Sequence, residues 1–212
     1  MLIKHINRFV YCLVASAFFS VSAGSFDDFF TAIRQDDASA LLSLLQRGFD
    51  PNTRDESGQP GLTIAMQVHA EKAAKLLLQH PAIDVDALNS AGESALMIAA
   101  LKGDIAGTKL LLASGAHVNQ PGWSALHYAA TGPKPEIVQL LLERGATVDA
   151  RSPNGTTPLM MAARYGSADS VKQLLERGAD PKLANQRDLR AADFARLAGR
   201  ESLGGRLDAA AR

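Results

Sequence analysis

Two pairs of carboxylates are the first side chains in this sequence that could do chemistry. Asp27-Asp28 and Asp36-Asp37 have the residue type of a general acid and a general base. We interpret both pairs as part of a solvated outer surface. The sequence motifs of zinc peptidases, serine hydrolases, phosphate-binding loops and dinucleotide-binding folds do not occur in the chain. The sequence therefore predicts no catalytic residue, no metal site and no cofactor.

The histidines are the second group with chemical potential. His69 and His80 have no second metal ligand at helical spacing, so we interpret them as surface or capping residues. His127 could join a Ser/His/Asp set only with partners that are distant in sequence. Nothing in the spacing indicates such a set, so an enzyme is the least favoured class of function.

Charge and composition limit the classes of partner. The 212 residues contain 22 basic and 22 acidic side chains, and 47% of the residues are hydrophobic. Without Lys4 and Arg8, which belong to the N-terminal segment, the formal charge is about minus two. There is no basic excess to attract nucleic acid or anionic lipid. We expect one domain, present as a monomer, that binds neither.

The N-terminal segment, residues 1–23, predicts a secretory signal peptide. Lys4 and Arg8 precede the apolar run 9–19, and Val21-Ser22-Ala23 suits cleavage after Ala23. An uncleaved membrane anchor is the alternative, although the run is shorter than the roughly 20 residues of a spanning helix. Cys12, the only cysteine, lies in this segment, so the cleaved protein would form no disulfide. We expect a periplasmic protein, with secretion to the outside as a second possibility, and no membrane contact after cleavage.

The rest of the chain repeats with a period near 33 residues, which organises the elements that position every side chain named so far. A leucine recurs after steps of 34, 30 and 33 residues, at Leu62, Leu96, Leu126 and Leu159. A glycine recurs with it, at Gly48, Gly115, Gly145 and Gly178. Two independent markers with one interval indicate an array of similar units.

One unit shows how each is built. Thr157-Pro158 predicts a helix start, and the small pair Ala162-Ala163 allows close packing of neighbouring helices. A second helix is predicted from Val171 to Arg177, and Gly178 ends it in the left-handed conformation. In the first unit, one apolar face holds Phe26, Phe29, Phe30 and Ile33, and another holds Leu41, Leu42, Leu44 and Leu45.

The unit resembles an ankyrin repeat in the segments Gly155-Thr156-Thr157-Pro158-Leu159 and Gly178-Ala179-Asp180. The resemblance implies an all-α solenoid of helix-turn-helix units with short β-turn fingers, over residues 24–208. The expected repeats are 25–53, 54–87, 88–119, 120–149, 150–182 and 183–208. It also implies that His127 makes structural hydrogen bonds between repeats. The fourth repeat is about three residues short between Gly115 and Trp123, so its finger should be clipped.

Ankyrin arrays usually bind proteins with the fingers and the exposed side of the first helix, along a concave groove. The resemblance therefore implies partner-binding residues at Glu56, Gln59, Gln67, Glu93, Leu101, Lys102, Trp123, Asn154, Arg164 and Tyr165. Neighbouring positions extend the same surface at Ser57, Val68, Ser90, Thr131 and Thr156. Trp123 and Tyr165 are either interface anchors or packing residues beside the shortened turn.

The favoured function is a non-catalytic module that binds a protein partner in the bacterial cell envelope. Two alternatives remain: a passive structural or accessory protein, and an immunity-type inhibitor. The residues of the groove do not identify the partner, because ankyrin surfaces have no code from residue to ligand.

Overall fold

A computed structural model describes residues 24–212, which form an all-helical chain. The segment interpreted as a signal peptide, residues 1–23, lies outside the described residues. Residues 24–212 contain twelve helices and no strand, apart from isolated bridges between Arg54 and Pro60 and between Ala184 and Arg190. The helices are α1 (24–34), α2 (Ala38–Gln46), α3 (Gly61–Val68), α4 (Glu71–Gln79), α5 (Ala95–Lys102), α6 (Ile105–Ala113), α7 (Ala125–Thr131), α8 (Pro135–Glu143), α9 (Pro158–Tyr165), α10 (Ala168–Glu176), α11 (Ala191–Leu197) and α12 (Glu201–Ala210).

The helices pair into six helix-turn-helix units stacked in a solenoid. The first helices α3, α5, α7, α9 and α11 pack against one another in chain order, and the second helices α2, α4, α6, α8 and α10 form a parallel outer layer. This confirms the predicted fold class. One helix pair falls in each expected repeat, and α12 reaches Ala210, beyond the expected end at residue 208. Over residues 24–212, no helix combines the length and apolar character needed to cross a bilayer.

Small residues bring the first helices close together. Ala99, Ala129 and Ala162, at equivalent positions of three repeats, are each 0% exposed. At Gly166 an added Cβ would lie 2.1 Å from the carbonyl oxygen of Ala130 in the preceding unit. Since no side chain fits in that space, the helix-to-helix distance depends on alanine and glycine at these positions.

Helix boundaries follow the predicted capping residues, with one correction. The Thr157 hydroxyl accepts from the N–H of Met160 at 3.4 Å, and Gly178 has φ +87°. The second helix of this unit, α10, begins at Ala168 and ends at Glu176, so the predicted span Val171 to Arg177 was wrong. The cause is Ser167, whose hydroxyl accepts from the N–H of Ser170 at 3.0 Å and starts the helix earlier.

The first unit buries the predicted aromatic face of α1, including Phe29 and Phe30. The prediction for α2 was partly wrong. Leu42 is 41% exposed and faces away from the core, because it falls outside the stripe that helical spacing places there. The buried leucines of α2 are Leu41, Leu44 and Leu45.

Candidate functional site

Loops with a tight turn join successive units, and we call residues 54–60, 88–94, 151–157 and 184–190 fingers 2, 3, 5 and 6. In finger 2 the N–H of Asp55 donates to the carbonyl of Gln59 at 2.9 Å, and Gly58 donates to Asp55 at 2.8 Å. The Asp55 carboxylate also accepts from the N–H groups of Ser57 and Gln59, both at 3.0 Å. One side chain therefore fixes the shape of the finger.

The same position is polar in the other fingers. Asn89 accepts from the N–H groups two and four residues ahead, both at 2.9 Å, and Asn185 does so at 2.9 and 3.1 Å. Ser152 accepts from the N–H four residues ahead at 3.0 Å. Sequence analysis missed these residues. The signal was available, since Asp55 and Asn89 are separated by one repeat, as are Ser152 and Asn185.

Hydrogen bonds link finger 2 to finger 3 and finger 5 to finger 6. Arginines at equivalent positions make one link in each pair. Arg54 donates to the Leu88 carbonyl at 2.5 Å, and Arg151 donates to the Ala184 carbonyl at 3.0 Å. The fingertips make the other link, from Ser90 Oγ to the Ser57 carbonyl at 3.0 Å and from Gln186 Nε2 to the Pro153 carbonyl at 2.9 Å. Fingers 2 and 3 are therefore fixed relative to each other, and so are fingers 5 and 6.

The fourth unit has a clipped finger, as predicted. Residues 118 and 121–123 form bends in place of the hydrogen-bonded turn, and Gly122 adopts φ +84°. A Cβ on Gly122 would be 3.6 Å from the Pro153 ring, so the short loop leans on finger 5. The row of fingers is therefore interrupted between fingers 3 and 5.

The fingers meet the first helices along one side of the solenoid, and we call this surface the groove. Contact is direct, since Arg34 at the end of α1 lies 3.6 Å from Asp55, and the Tyr128 hydroxyl on α7 donates to Glu93 at 3.0 Å. The predicted partner-binding residues divide by exposure. Those that are exposed are Glu56, Ser57, Val68, Ser90, Leu101, Lys102, Asn154 and Tyr165. Those that are half-buried are Gln59, Gln67, Glu93, Trp123, Thr131 and Arg164.

Thr156 does not belong to the accessible groove, so that prediction was wrong. Its side chain is 2% exposed. Its N–H and carbonyl both take part in finger 5, with the N–H bonded to Ser152 Oγ at 3.0 Å and the carbonyl accepting from the Ser152 N–H at 3.0 Å. Thr156, which closes finger 5, therefore stabilises the finger and is not accessible to a partner.

Some predicted residues are held by bonds within the protein. The Glu93 carboxylate accepts from Asn89 Nδ2 at 2.9 Å and from the Tyr128 hydroxyl. Burial, followed by the hydrogen bond and the charge of Glu93, raises the pKa of Tyr128 above its ordinary value of 10.0. Gln67 Nε2 donates to Gln59 Oε1 at 2.6 Å. These side chains form an ordered polar floor.

Trp123 lies beside the clipped finger and packs on His127, with ring centroids 5.2 Å apart and an interplanar angle of 75°. The indole is half-buried, so it has a packing role and also a face toward solvent. Both interpretations of Trp123, packing residue and interface anchor, are compatible with this position.

His127 is 0% exposed and has the structural role that the resemblance implied. Its Nδ1 accepts from the Ser124 N–H at 3.1 Å and lies 2.9 Å from Ser124 Oγ, while Nε2 lies 3.0 Å from the Thr156 carbonyl of the next unit. An N–H donor on one side and a carbonyl on the other require a neutral ring with hydrogen on Nε2. Burial lowers the pKa of His127 below its ordinary 6.5, against smaller opposing contributions from hydrogen bonds.

At the far end of the groove, the guanidinium of Arg164 lies over the ring of Tyr165, 5.1 Å from its centroid. Tyr165 is 56% exposed. A cation over an aromatic face orders both side chains, which reduces the entropy they would lose on binding.

The remaining candidates for chemistry have structural roles or lie in solvent. Asp37 caps α2 by accepting two N–H groups at 3.0 Å, and Asp36 accepts from the N–H of Ala73 in α4 at 2.8 Å. The prediction of a solvated surface is confirmed for Asp37, which is exposed, whereas Asp36 is half-buried. His69 ends α3 at φ +57° and His80 ends α4, which confirms them as capping residues. Within residues 24–212 no group of three or more His, Cys, Asp or Glu side chains is placed to hold a metal ion.

Comparison with known proteins gives one family. Its profile, described as ankyrin repeats (3 copies), matches residues 29–121 and 116–185. The chain is 34% identical over 155 residues to the nuclear factor NF-kappa-B p105 subunit of Gallus gallus, which covers 70% of this chain and 16% of that protein. It is 33% identical over 150 residues to SH3 and multiple ankyrin repeat domains protein 2 of Homo sapiens, covering 68% of this chain and 8% of that protein. The chain thus matches less than a fifth of each relative.

A solved structure extends the comparison to three dimensions. It is the complex of Bd0816, a predatory endopeptidase from Bdellovibrio bacteriovorus, with the immunity protein Bd3460. The fold of the immunity protein superimposes on this chain with a TM-score of 0.73 at 25% sequence identity. The match covers 86% of this chain and 97% of that one.

Proposed function

The chain belongs to the ankyrin repeat family, whose repeats are protein-interaction modules, and on that premise we propose that it binds a protein partner through the groove. We further propose that it does so in the bacterial cell envelope. Binding, and not catalysis, is its activity.

The observation that carries the proposal is the exposure of large side chains along the groove. Val68 is 45% exposed, Leu101 36% and Tyr165 56%. They lie in the last two residues of the first helices α3, α5 and α9. Exposed apolar and aromatic side chains aligned on one face are typical of interaction sites. Arg164 and Trp123 add two residue types that often anchor interfaces.

The polar side chains of the groove support binding over catalysis. His127 is neutral, buried and bonded on both ring nitrogens, and Glu93 is shared between two neighbours. A general base needs a free lone pair within reach of substrate. These groups stabilise the surface and are not available to a reacting molecule.

A location in the envelope rests on the N-terminal segment. Lys4 and Arg8 before an apolar run, and Val21-Ser22-Ala23 after it, favour export with cleavage after Ala23. The periplasm is the proposed compartment. Export is tested by cell fractionation of the tagged full chain, with the N-terminal residue of the recovered protein identifying the cleavage site.

An immunity-type inhibitor is the second candidate function. It is favoured by the likeness to Bd3460, which is an immunity protein in complex with an endopeptidase. The partner in this reading is an envelope endopeptidase, and binding would reduce its activity.

The test is capture of the partner after crosslinking in cells, with the full chain as bait. Leu101→Glu and Tyr165→Ala alter the groove at exposed positions. Leu42→Glu is the matched control, because Leu42 is 41% exposed on the outer helix layer. We expect wild type and Leu42→Glu to capture the same protein and the two groove variants to lose it, with unchanged circular dichroism.

The results of the capture experiment distinguish groove binding from a passive role. Capture of no protein, or equal capture by the groove variants, rejects groove binding and favours a passive structural role. If the captured protein is an endopeptidase, adding equimolar wild-type chain should lower its activity and adding Tyr165→Ala should not. Trp123→Ala, measured for both stability and capture, separates an anchoring indole from one that only packs.

A further inference from the structure

Charge is distributed unevenly along the solenoid. Residues 24–70 contain seven acidic and three basic side chains, whereas residues 150–212 contain eleven basic and seven acidic ones. In a linear stack each repeat occupies one step, so position in sequence becomes position along the axis. A chain with nearly balanced total charge therefore has an acidic end and a basic end.

At the acidic end the groove contains a cleft of about 380 Å³ between α1 and finger 2. The rings of Phe26 and Phe30, with centroids 5.0 Å apart, line the cleft. Arg34 is paired with Asp55 at 3.6 Å. Asp27 and Glu56 also line the cleft and are exposed, and within the described chain neither has an ion-pair partner. The cleft thus combines apolar rings with an excess of negative charge.

At the basic end the groove contains Arg164 and Arg187, which have no ion-pair partner among residues 24–212. It also contains Arg151, which lies close enough to the Asp149 carboxylate to oppose the rise in pKa that burial causes there. Arg164 contacts the Tyr165 ring, and Arg151 bonds to carbonyl groups of the backbone. Arg187 is exposed on finger 6, where Asp188 offsets its charge in part. The net charge of this end of the groove is positive, carried chiefly by Arg164. Arg151 does not distinguish the two ends, because its equivalent in finger 2, Arg54, is held by backbone carbonyls in the same way.

We propose that the groove receives a protein segment that is basic where it faces the first two repeats and acidic where it faces the last two. The middle of such a segment is mainly uncharged or apolar, because Leu101 and Trp123 lie between the charged ends and Lys102 is an exposed charge beside them. This inference rests on the proposed function and names the chemistry of the partner. Complementary charge sets the direction in which the segment lies and speeds its association.

The span of the segment follows from the packing of helices. Four steps of about 10 Å separate the first and fifth repeats. An extended chain covers about 3.3 Å per residue, so roughly 12 residues reach from the first repeat to the fifth. The probe is a synthetic peptide of about 14 residues, with three lysines at one end, three glutamates at the other, and neutral residues between.

The experiment places a nitroxide label at either end of this peptide and records broadening of backbone amide signals in the ¹⁵N-labelled full chain. The lysine-end label should broaden signals near Asp27 and Glu56. The glutamate-end label should broaden those near Arg164 and Arg187. Raising the salt from 50 to 500 mM should abolish both effects, because the screening length falls from roughly 14 to roughly 4 Å.

Paired variants test each end. Asp27→Asn with Glu56→Gln should weaken the affinity of the peptide about 3- to 10-fold, from two exposed ion pairs. Glu136→Gln on the outer helix α8 is the control and should leave it unchanged. Arg164→Gln with Arg187→Gln should weaken binding similarly, with Arg206→Gln on α12 as its control.

Equal broadening of both ends by either label would overturn the proposal, as would broadening centred on the outer helices or no broadening at 50 mM salt. These results are distinguishable from failure of the groove itself. Cellular capture that depends on Leu101 and Tyr165, together with unpolarised broadening, would retain the binding function and reject the charge polarity. Polarised broadening without such capture would retain the charge polarity of the groove and reject the binding function.

Discussion

Replacement of His127 by alanine should destabilise the fold by about 3–4 kcal/mol. The ring makes contacts at 3.1 and 2.9 Å to Ser124 and at 3.0 Å to the Thr156 carbonyl, in a site with no exposure to solvent. Each hydrogen bond contributes about 1 kcal/mol net, and the buried volume left by the ring adds a cavity cost of similar size. Whole domains are stable by only about 5–15 kcal/mol, so the loss would be a large part of the total.

Methionine at the same position provides the matched control, because Met160 holds the equivalent place in α9. Its sulfur accepts from the N–H of Thr157 at 3.4 Å, so a thioether can replace the imidazole as acceptor at the helix start. His127→Met should therefore cost about 1 kcal/mol, mainly for the lost bond to the next repeat. Urea unfolding at pH 7.5, followed by circular dichroism, measures both values. A cost below about 1 kcal/mol for alanine, or equal costs for the two variants, would refute this account of His127.

Three further predictions concern pH, a long arginine contact and two glycines. Burial lowers the pKa of His127 in the folded state below 6.5, so the unfolded chain binds more protons than the folded chain just below pH 6.5. The contribution of His127 to stability should therefore be fully present above that pH and should fall as the pH drops towards the folded pKa. Urea midpoints measured across this pH range should show the fall in wild type and not in His127→Met. The Arg200 guanidinium donates to three carbonyls at the end of α9 at 3.2, 2.9 and 2.9 Å, so Arg200→Ala should lower the free energy of unfolding in urea by about 2 kcal/mol. Arg206 is exposed, and Arg206→Ala should leave that free energy unchanged. Equal effects of the two variants would contradict this role of Arg200. Gly166→Ala should lower the thermal midpoint more than Gly178→Ala. The Cβ at residue 166 would meet a carbonyl oxygen at 2.1 Å, whereas the Cβ at residue 178 has open space and costs about 1 kcal/mol because of the backbone at φ +87°. The reverse order would show that backbone conformation outweighs packing at these two positions.

The repeat and its helix pairs were predictable because their signals are local and recur. Thr157 and Gly178 mark a helix start and end through their own conformational and hydrogen-bonding preferences, and equivalents at the same interval reinforce both. The start of α10 was placed three residues late, since Ser167 was not recognised as a cap before a run of small and polar residues.

Contacts between repeats were the part that sequence could not supply. Glu93 and Tyr128 are 35 residues apart, and Asp36 caps a helix 37 residues away. A carboxylate held by such a bond has the same letter in the sequence as one in solvent, so exposure cannot be assigned from residue type. For the same reason Thr156 was placed on the groove although it is buried. The exposure of Leu101 could be predicted because it depends on place within the repeat alone, and its role in binding stays a prediction.

The clipped loop of the fourth unit affects how that unit is joined to the rest of the array. Hydrogen bonds tie residues 54–60 to 88–94 and residues 151–157 to 184–190, and the short loop at 118–123 lies between these two tied segments. On the groove side, the fourth unit is therefore joined to its neighbours through its first helix and not along the row of fingers. The Tyr128–Glu93 and His127–Thr156 hydrogen bonds carry that connection, so the spacing of the units at the midpoint of the array depends in part on two side chains of α7.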